Sequence, residues 1–154
     1  MSLPKLNRLA VALCLATALA AAHAKPAGTC STDGPGGGNQ VSTTSGGSGL
    51  YFNELTRTVV NSGTANKSVF IWFSADVGVP LNAEVRLLFS VDGAAPQYYG
   101  PQNLANNTQY YESRSALARI PVSPGTHTIT PFVFVSAASG ATAFFDDRCM
   151  FVEI

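Results

Sequence analysis

The chain has 154 residues, with nine basic and nine acidic side chains, and charged residues make up 12% of it against 46% hydrophobic ones. Soluble chains usually carry about 25% charged residues. The length allows one domain with a core of its own, and the charge balance excludes a basic nucleic-acid binder and an acidic disordered tail.

The first 24 residues read as a secretory signal. Lys5 and Arg8 form a positive start, Leu9 to Ala22 is an uncharged apolar run, and Ala22-His23-Ala24 places small residues where a signal peptidase reads. The run is short of the ~20 residues that span a bilayer. Cleavage after Ala24 removes two bases and no acid, which takes the net charge from zero to −2. No later apolar run is long enough to span a membrane. The expected location is the periplasm or the cell exterior.

Residues 25–49 read as a flexible Gly/Ser-rich arm carrying Cys30. Seven of the nineteen residues 31–49 are Gly and Val41 is the only hydrophobic one, so the stretch offers little apolar burial to offset its chain entropy. It lacks the strand, helix and Lys-Ser/Thr of a P-loop, and Gly47-Ser48-Gly49 lacks the spacing of a nucleophile elbow.

From Leu50 to Ile154 the texture is that of one β-sandwich domain. Arg57 to Val60 makes a short strand before the Asn61-Ser62-Gly63 turn. Ser68 to Ala75 is apolar on both faces over its middle and suits a central strand. Val85, Leu87, Phe89 and Val91 alternate with polar residues as far as the Asp92-Gly93 hairpin signal. Gln97-Tyr98-Tyr99 recurs as Gln109-Tyr110-Tyr111, which reads as a hairpin with facing tyrosines. Ala116 to Val122 is another strand, and Pro124-Gly125 turns the chain. His127, Ile129, Val133 and Val135 then share one face, with Phe132 and Phe134 on the other. Ser139-Gly140 turns again and Ala143 to Ile154 closes the domain. Leu81 to Leu88 and Ser113 to Arg119 have some helical composition but read better as strands. The fold class expected is all-β: an antiparallel sandwich of jelly-roll type with about eight strands. The Pro124-to-Ile129 run before a long strand, and the terminal strand after a short hairpin, resemble secreted jelly-roll modules in general.

The chemistry-bearing residues are few. Cys30 and Cys149 would pair in an oxidising compartment and clip the arm to the last strand. One mature His and two paired Cys cannot build a zinc site. Asp146-Asp147 would point to opposite faces of a strand, converging on calcium only at a bend, and Asp147 could pair with Arg148. The carboxylates show no spacing that selects a catalytic pair. His127 reads as a rim residue rather than as a triad member. Phe70, Phe73, Phe132, Phe134, Phe144 and Phe145 read as packing. Tyr98, Tyr99, Tyr110 and Tyr111, around an Asn- and Gln-rich loop, form the recognition surface expected from sequence, because a tyrosine ring packs while its hydroxyl stays wet.

The function expected is a secreted or periplasmic, non-enzymatic module without metal or cofactor that binds a glycan or an envelope partner. The alternatives are an assembly subunit of the envelope and, behind it, a small glycan hydrolase. Neither nucleic acid nor a membrane span is expected, and the oligomeric state stays open.

Overall fold

The computed structural model describes residues 27–31, 39–43, 46–81, 83–100, 103–106, 111–137 and 140–154. The expected signal, residues 1–24, and Tyr110 lie outside the described residues. The strands are β1 (Ala27–Ser31), β2 (Asn39–Thr43), β3 (Gly46–Tyr51), β4 (Arg57–Asn61), β5 (Lys67–Gly78), β6 (Ala83–Val91), β7 (Asn103–Asn106), β8 (Glu112–Val122), β9 (Gly125–Ala137) and β10 (Ala141–Glu153).

They form two antiparallel sheets. Sheet A runs β1-β10-β5-β8, with β2 also on β10, and sheet B runs β3-β9-β6-β7, with β4 also on β9. β1 and β2 share one edge of β10, and β3 and β4 share one edge of β9. Among the described residues, ten strands therefore occupy eight positions, four per sheet, and the chain is an antiparallel β-sandwich of jelly-roll type. Inward side chains alternate along each strand: Val69, Ile71, Phe73, Ala75 and Val77 from β5 meet Val85, Leu87 and Phe89 from β6 and Ile129, Val133 and Val135 from β9.

The Gly-rich stretch departs from the expected arm. Its described parts are paired strands, because aromatic rings supply what the glycines lack. The Phe134 ring lies over Gly47 and the Phe132 ring over Gly49, so close that a Cβ at either glycine would stand within 2.1 Å of the ring. Tyr51 adds an edge contact to Phe132 at 4.7 Å. Phe rings laid across glycines of an edge strand recover buried apolar area that composition alone does not reveal.

Turn chemistry follows the sequence. Asp92 and Gly93 both have positive φ, 53° and 74°, as a tight primed turn demands. Asn61 is buried and locks its turn by donating to the carbonyls of Ala65 and Val122 while accepting from the Gly63 amide.

The expected tyrosine hairpin does not form. β7 lies between the two segments and pairs with β6. Gln97 pairs with Phe89 of sheet B, and the Tyr99 carbonyl accepts from the Arg119 amide of sheet A. Residues 97–100 thus step from one sheet to the other and close that side of the sandwich.

β10 carries a bulge between Asp146 and Cys149, with Asp147 at φ 41°. The extra residue inverts the alternation: Ala143 and Phe145 face inward before it, Arg148, Met150 and Val152 after it. Asp147 therefore does not hold Arg148. Arg148 is 1% exposed, donates to the Phe145 carbonyl at 2.5 Å, to Glu54 at 3.3 Å and to Ser31 Oγ at 3.3 Å, and lies 5.1 Å from the Phe52 ring centre.

Candidate functional site

The outer face of sheet A is built in cross-strand rows, because antiparallel registry places one outward residue of each strand side by side. One row runs Gly28, Phe151, Trp72, Leu117 across β1, β10, β5 and β8. The next runs Glu153, Phe70, Arg119. Phe70 and Trp72 are 54% and 55% exposed, Leu117 is 59% and Phe151 is 39%. Together with the strands beneath they line an open groove of about 530 Å³. Phe70 and Trp72 are absent from the recognition surface expected from sequence. β5 is a central strand as expected, but its outer face is bare, so its outward rings are surface rather than packing. The signal was present in Phe70-Ile71-Trp72, where period two forces the flanking rings to one side.

The platform is held firmly. The Phe151 ring lies directly over Gly28, where a Cβ would come within 2.1 Å of it. Arg119 stands 5.7 Å from the Phe70 ring centre and donates to Ser68 Oγ at 2.7 Å. The row beyond Trp72 is polar: Cys30, Cys149, Ser74, Ser115. Cys30 and Cys149 are disulfide-bonded, as the sequence predicts, and clip β1 to β10 on this same face.

The predicted tyrosines do not share one surface. Tyr111 sits on the outer face of sheet A beside Phe144, with ring centres 6.2 Å apart. Burial, and then the negative charge of Asp146, push its hydroxyl pKa above the usual tyrosine range. Tyr98 belongs to the opposite sheet. Its hydroxyl lies near Arg86, whose guanidinium is held above its usual pKa first by Glu84 and then by Tyr98. Glu84 grips Arg86 through both carboxylate oxygens, at 3.0 and 2.9 Å. Tyr99 packs against the core.

His127 lies at the sandwich rim between two turns. Its Nδ1 meets Asp92 Oδ2 at 2.7 Å, and its Nε2 meets the Ser123 carbonyl at 3.0 Å and Ser123 Oγ at 3.3 Å. The Asp-His-Ser order resembles a triad, but the chemistry differs. A carboxylate and a carbonyl both only accept, so the protonated ring is the form that satisfies both contacts, whereas a triad base needs a free lone pair at Nε2. Protonated, the ring is a clasp between the 92–93 and 123–125 turns. Hydrogen bonding to Asp92 and then to Ser123 raises the His127 pKa above its ordinary 6.5. The same bond, with the Thr128 amide, lowers that of Asp92 below 3.8. A raised His pKa contributes stability that is complete below about 6.5 and is lost as pH rises through the folded value. A lowered Asp pKa contributes above about 4 and is lost as pH falls through the folded value. The clasp is therefore strongest between about pH 4 and 6.5. Thermal melts of the wild type and His127→Gln are expected to differ more at pH 5.5 than at pH 8.5; an equal gap at both would remove the imidazolium from the account.

No family model and no curated protein matches the chain. Among solved structures, TmCBM61 in complex with β-1,4-galactotriose superimposes with a TM-score of 0.44 and 18% identity, over 82% of this chain and 83% of that one. A family 35 carbohydrate binding module from an environmental isolate gives 0.42 and 15%, over 84% of each chain. A chain of the infectious bursal disease virus Gx strain gives 0.50 and 9%, over 85% of this chain. This protein covers 32% of the length of that viral chain, and the likeness is one of fold.

Proposed function

We propose that the chain is a secreted or periplasmic, non-catalytic module that binds a glycan on the outer face of sheet A, after a signal at residues 1–24. The observation that carries this reading is the in-register row of Phe151, Trp72 and Leu117, left exposed on the sheet beside Phe70 and flanked by the hydroxyls of Ser74 and Ser115. Contiguous exposed apolar surface of this kind marks a binding site. A sugar ring has one apolar C–H face and a hydroxyl edge, so it matches an aromatic floor beside serine hydroxyls and carboxylates better than an all-apolar partner does. Low overall charge fits a neutral ligand. The disulfide fits an oxidising compartment. Of the tyrosines named from sequence, Tyr111 is on this surface, whereas Tyr98 and Tyr99 lie away from it.

Binding of the purified chain to a panel of insoluble and soluble polysaccharides tests the reading. Trp72→Ala is expected to weaken binding by about thirtyfold or more, the loss typical of an aromatic anchor. Its melting temperature should change little, because more than half of the side chain is already in water. Undiminished binding by Trp72→Ala would sink the platform as the site. A concentration-dependent dimer that Trp72→Ala abolishes would move the surface to envelope assembly instead.

A further inference from the structure

Resting on that reading, we propose that the ligand is a neutral, flat, linear glycan that runs along the strands from Trp72 to a second aromatic seat at Tyr111 and Phe144. β5 presents Trp72, Ser74, Asp76 and Gly78 in succession on this face. Six residues of strand separate the two ends, about 20 Å at ~3.3 Å per residue. The far end is a second open groove of about 480 Å³ with Pro80, Leu81, Tyr111, Thr142 and Phe144 in its walls. Its floor is Gly78, where a Cβ would press within 3.3 Å of the Tyr111 ring. Tyr111 is 53% exposed, so its ring is available for stacking.

Between the two seats lie acceptors. Asp76 and Asp146 are cross-strand partners in register. Asp76 accepts from Ser113, whereas Asp146 Oδ1 is buried with no hydrogen-bond partner among the described residues. Asp76 lies in the exposed part of this pair, where a sugar hydroxyl can donate to it. Two carboxylates side by side repel an anionic chain. Among the described residues, Arg119 is the base on this face near the platform, and it is engaged with Ser68 and the Phe70 ring. A neutral polymer is therefore favoured over a polyuronate. Shape narrows the class further. Only an equatorially linked pyranose chain forms a straight ribbon whose flat C–H faces can meet rings at both ends of an extended sheet face.

Isothermal titration of the full chain with β-1,4-linked glucose and mannose oligomers, from trimer to hexamer, tests this, with β-1,4-mannuronate oligomers as the anionic match. For at least one neutral series, affinity is expected to rise about thirtyfold from trimer to hexamer, the contribution of one further aromatic anchor. Tyr111→Ala should abolish that rise and leave the trimer unchanged; Tyr111→Phe, which keeps the ring, should preserve it. Mannuronate oligomers should not bind. Length dependence that survives Tyr111→Ala, mannuronate binding equal to that of mannose, or no binding by either neutral series overturns the inference. The platform reading then still stands if Trp72→Ala removes whatever polysaccharide binding the panel finds, so the two failures are distinguishable.

Discussion

Replacing Arg148 by alanine is expected to cost about 3 kcal/mol and lower the melting temperature by about 10 °C. The side chain is buried between the sheets, over the Phe52 ring, and spends its donors on Glu54, Ser31 and the Phe145 carbonyl. Alanine leaves a cavity of nearly a whole side chain and strands a buried carbonyl. The Glu54 side chain is 38% exposed and its carboxylate can return to water, so that ion pair is the smaller part. Arg148→Met separates the two contributions. Methionine refills the space without a charge, and replacing buried ionic groups by apolar volume is often tolerated. It should recover more than half of the loss. Equal melting temperatures for the alanine variant and the wild type would show that the guanidinium offsets its own desolvation and nothing else.

Arg148 also shows where the sequence stops being legible. Period two reads β9 correctly, because it keeps one alternation throughout: Ile129, Val133 and Val135 are buried, with Phe132 and Phe134 on the other side. β10 does not keep it. The bulge at Asp146–Arg148 transfers odd positions from the inner to the outer face, and that one residue puts Arg148 inside, Phe151 on the platform and Cys149 opposite Cys30. Nothing in Asp-Asp-Arg announces a bulge to a reader of alternation, although Asp tolerates positive φ better than most residues. The Gly-rich edge is obscured for a related reason. Its strands depend on rings from β9 more than eighty residues downstream, and local composition carries no trace of them.

Of the proposed site, Tyr111 was legible: it lies on the outer face of sheet A beside Phe144. The position of that surface does not follow. A strand that is apolar on both sides reads as covered on both sides, yet only the inner side of β5 is covered, by sheet B. Which face of a sheet meets water is a property of the number of layers, and the number of layers is set by the whole chain. The repeated Gln-Tyr-Tyr reads as a hairpin, but β7 lies between Tyr99 and Tyr111 and pairs with β6.

Loss of the Cys30–Cys149 bond is expected to be the costliest single chemical change. The cysteines are 119 residues apart in sequence, and closing a loop of that length is worth up to about 5 kcal/mol in the chain-entropy model. Native pairing of the five-residue β1 survives in part without it, so about 3–5 kcal/mol is the expected loss for Cys30→Ala with Cys149→Ala, or roughly 10–15 °C in melting temperature. The effect should reach the binding face as well. β1 is an edge strand whose outward residues are Gly28 and Cys30, and Gly28 is the shelf on which the Phe151 ring lies. Once the bond is gone, fraying of β1 frees that ring while Trp72 and Leu117 stay fixed on interior pairings with β8. At a temperature well below its melting point, the double variant should therefore bind polysaccharide less tightly than the wild type but more tightly than Trp72→Ala. Reduction by dithiothreitol should reproduce the variant, because the disulfide lies on the outer face of the sheet. An unchanged melting temperature would mean that backbone pairing alone holds β1. A full loss of binding in a chain that remains folded would mean that Phe151, rather than Trp72, is the principal anchor.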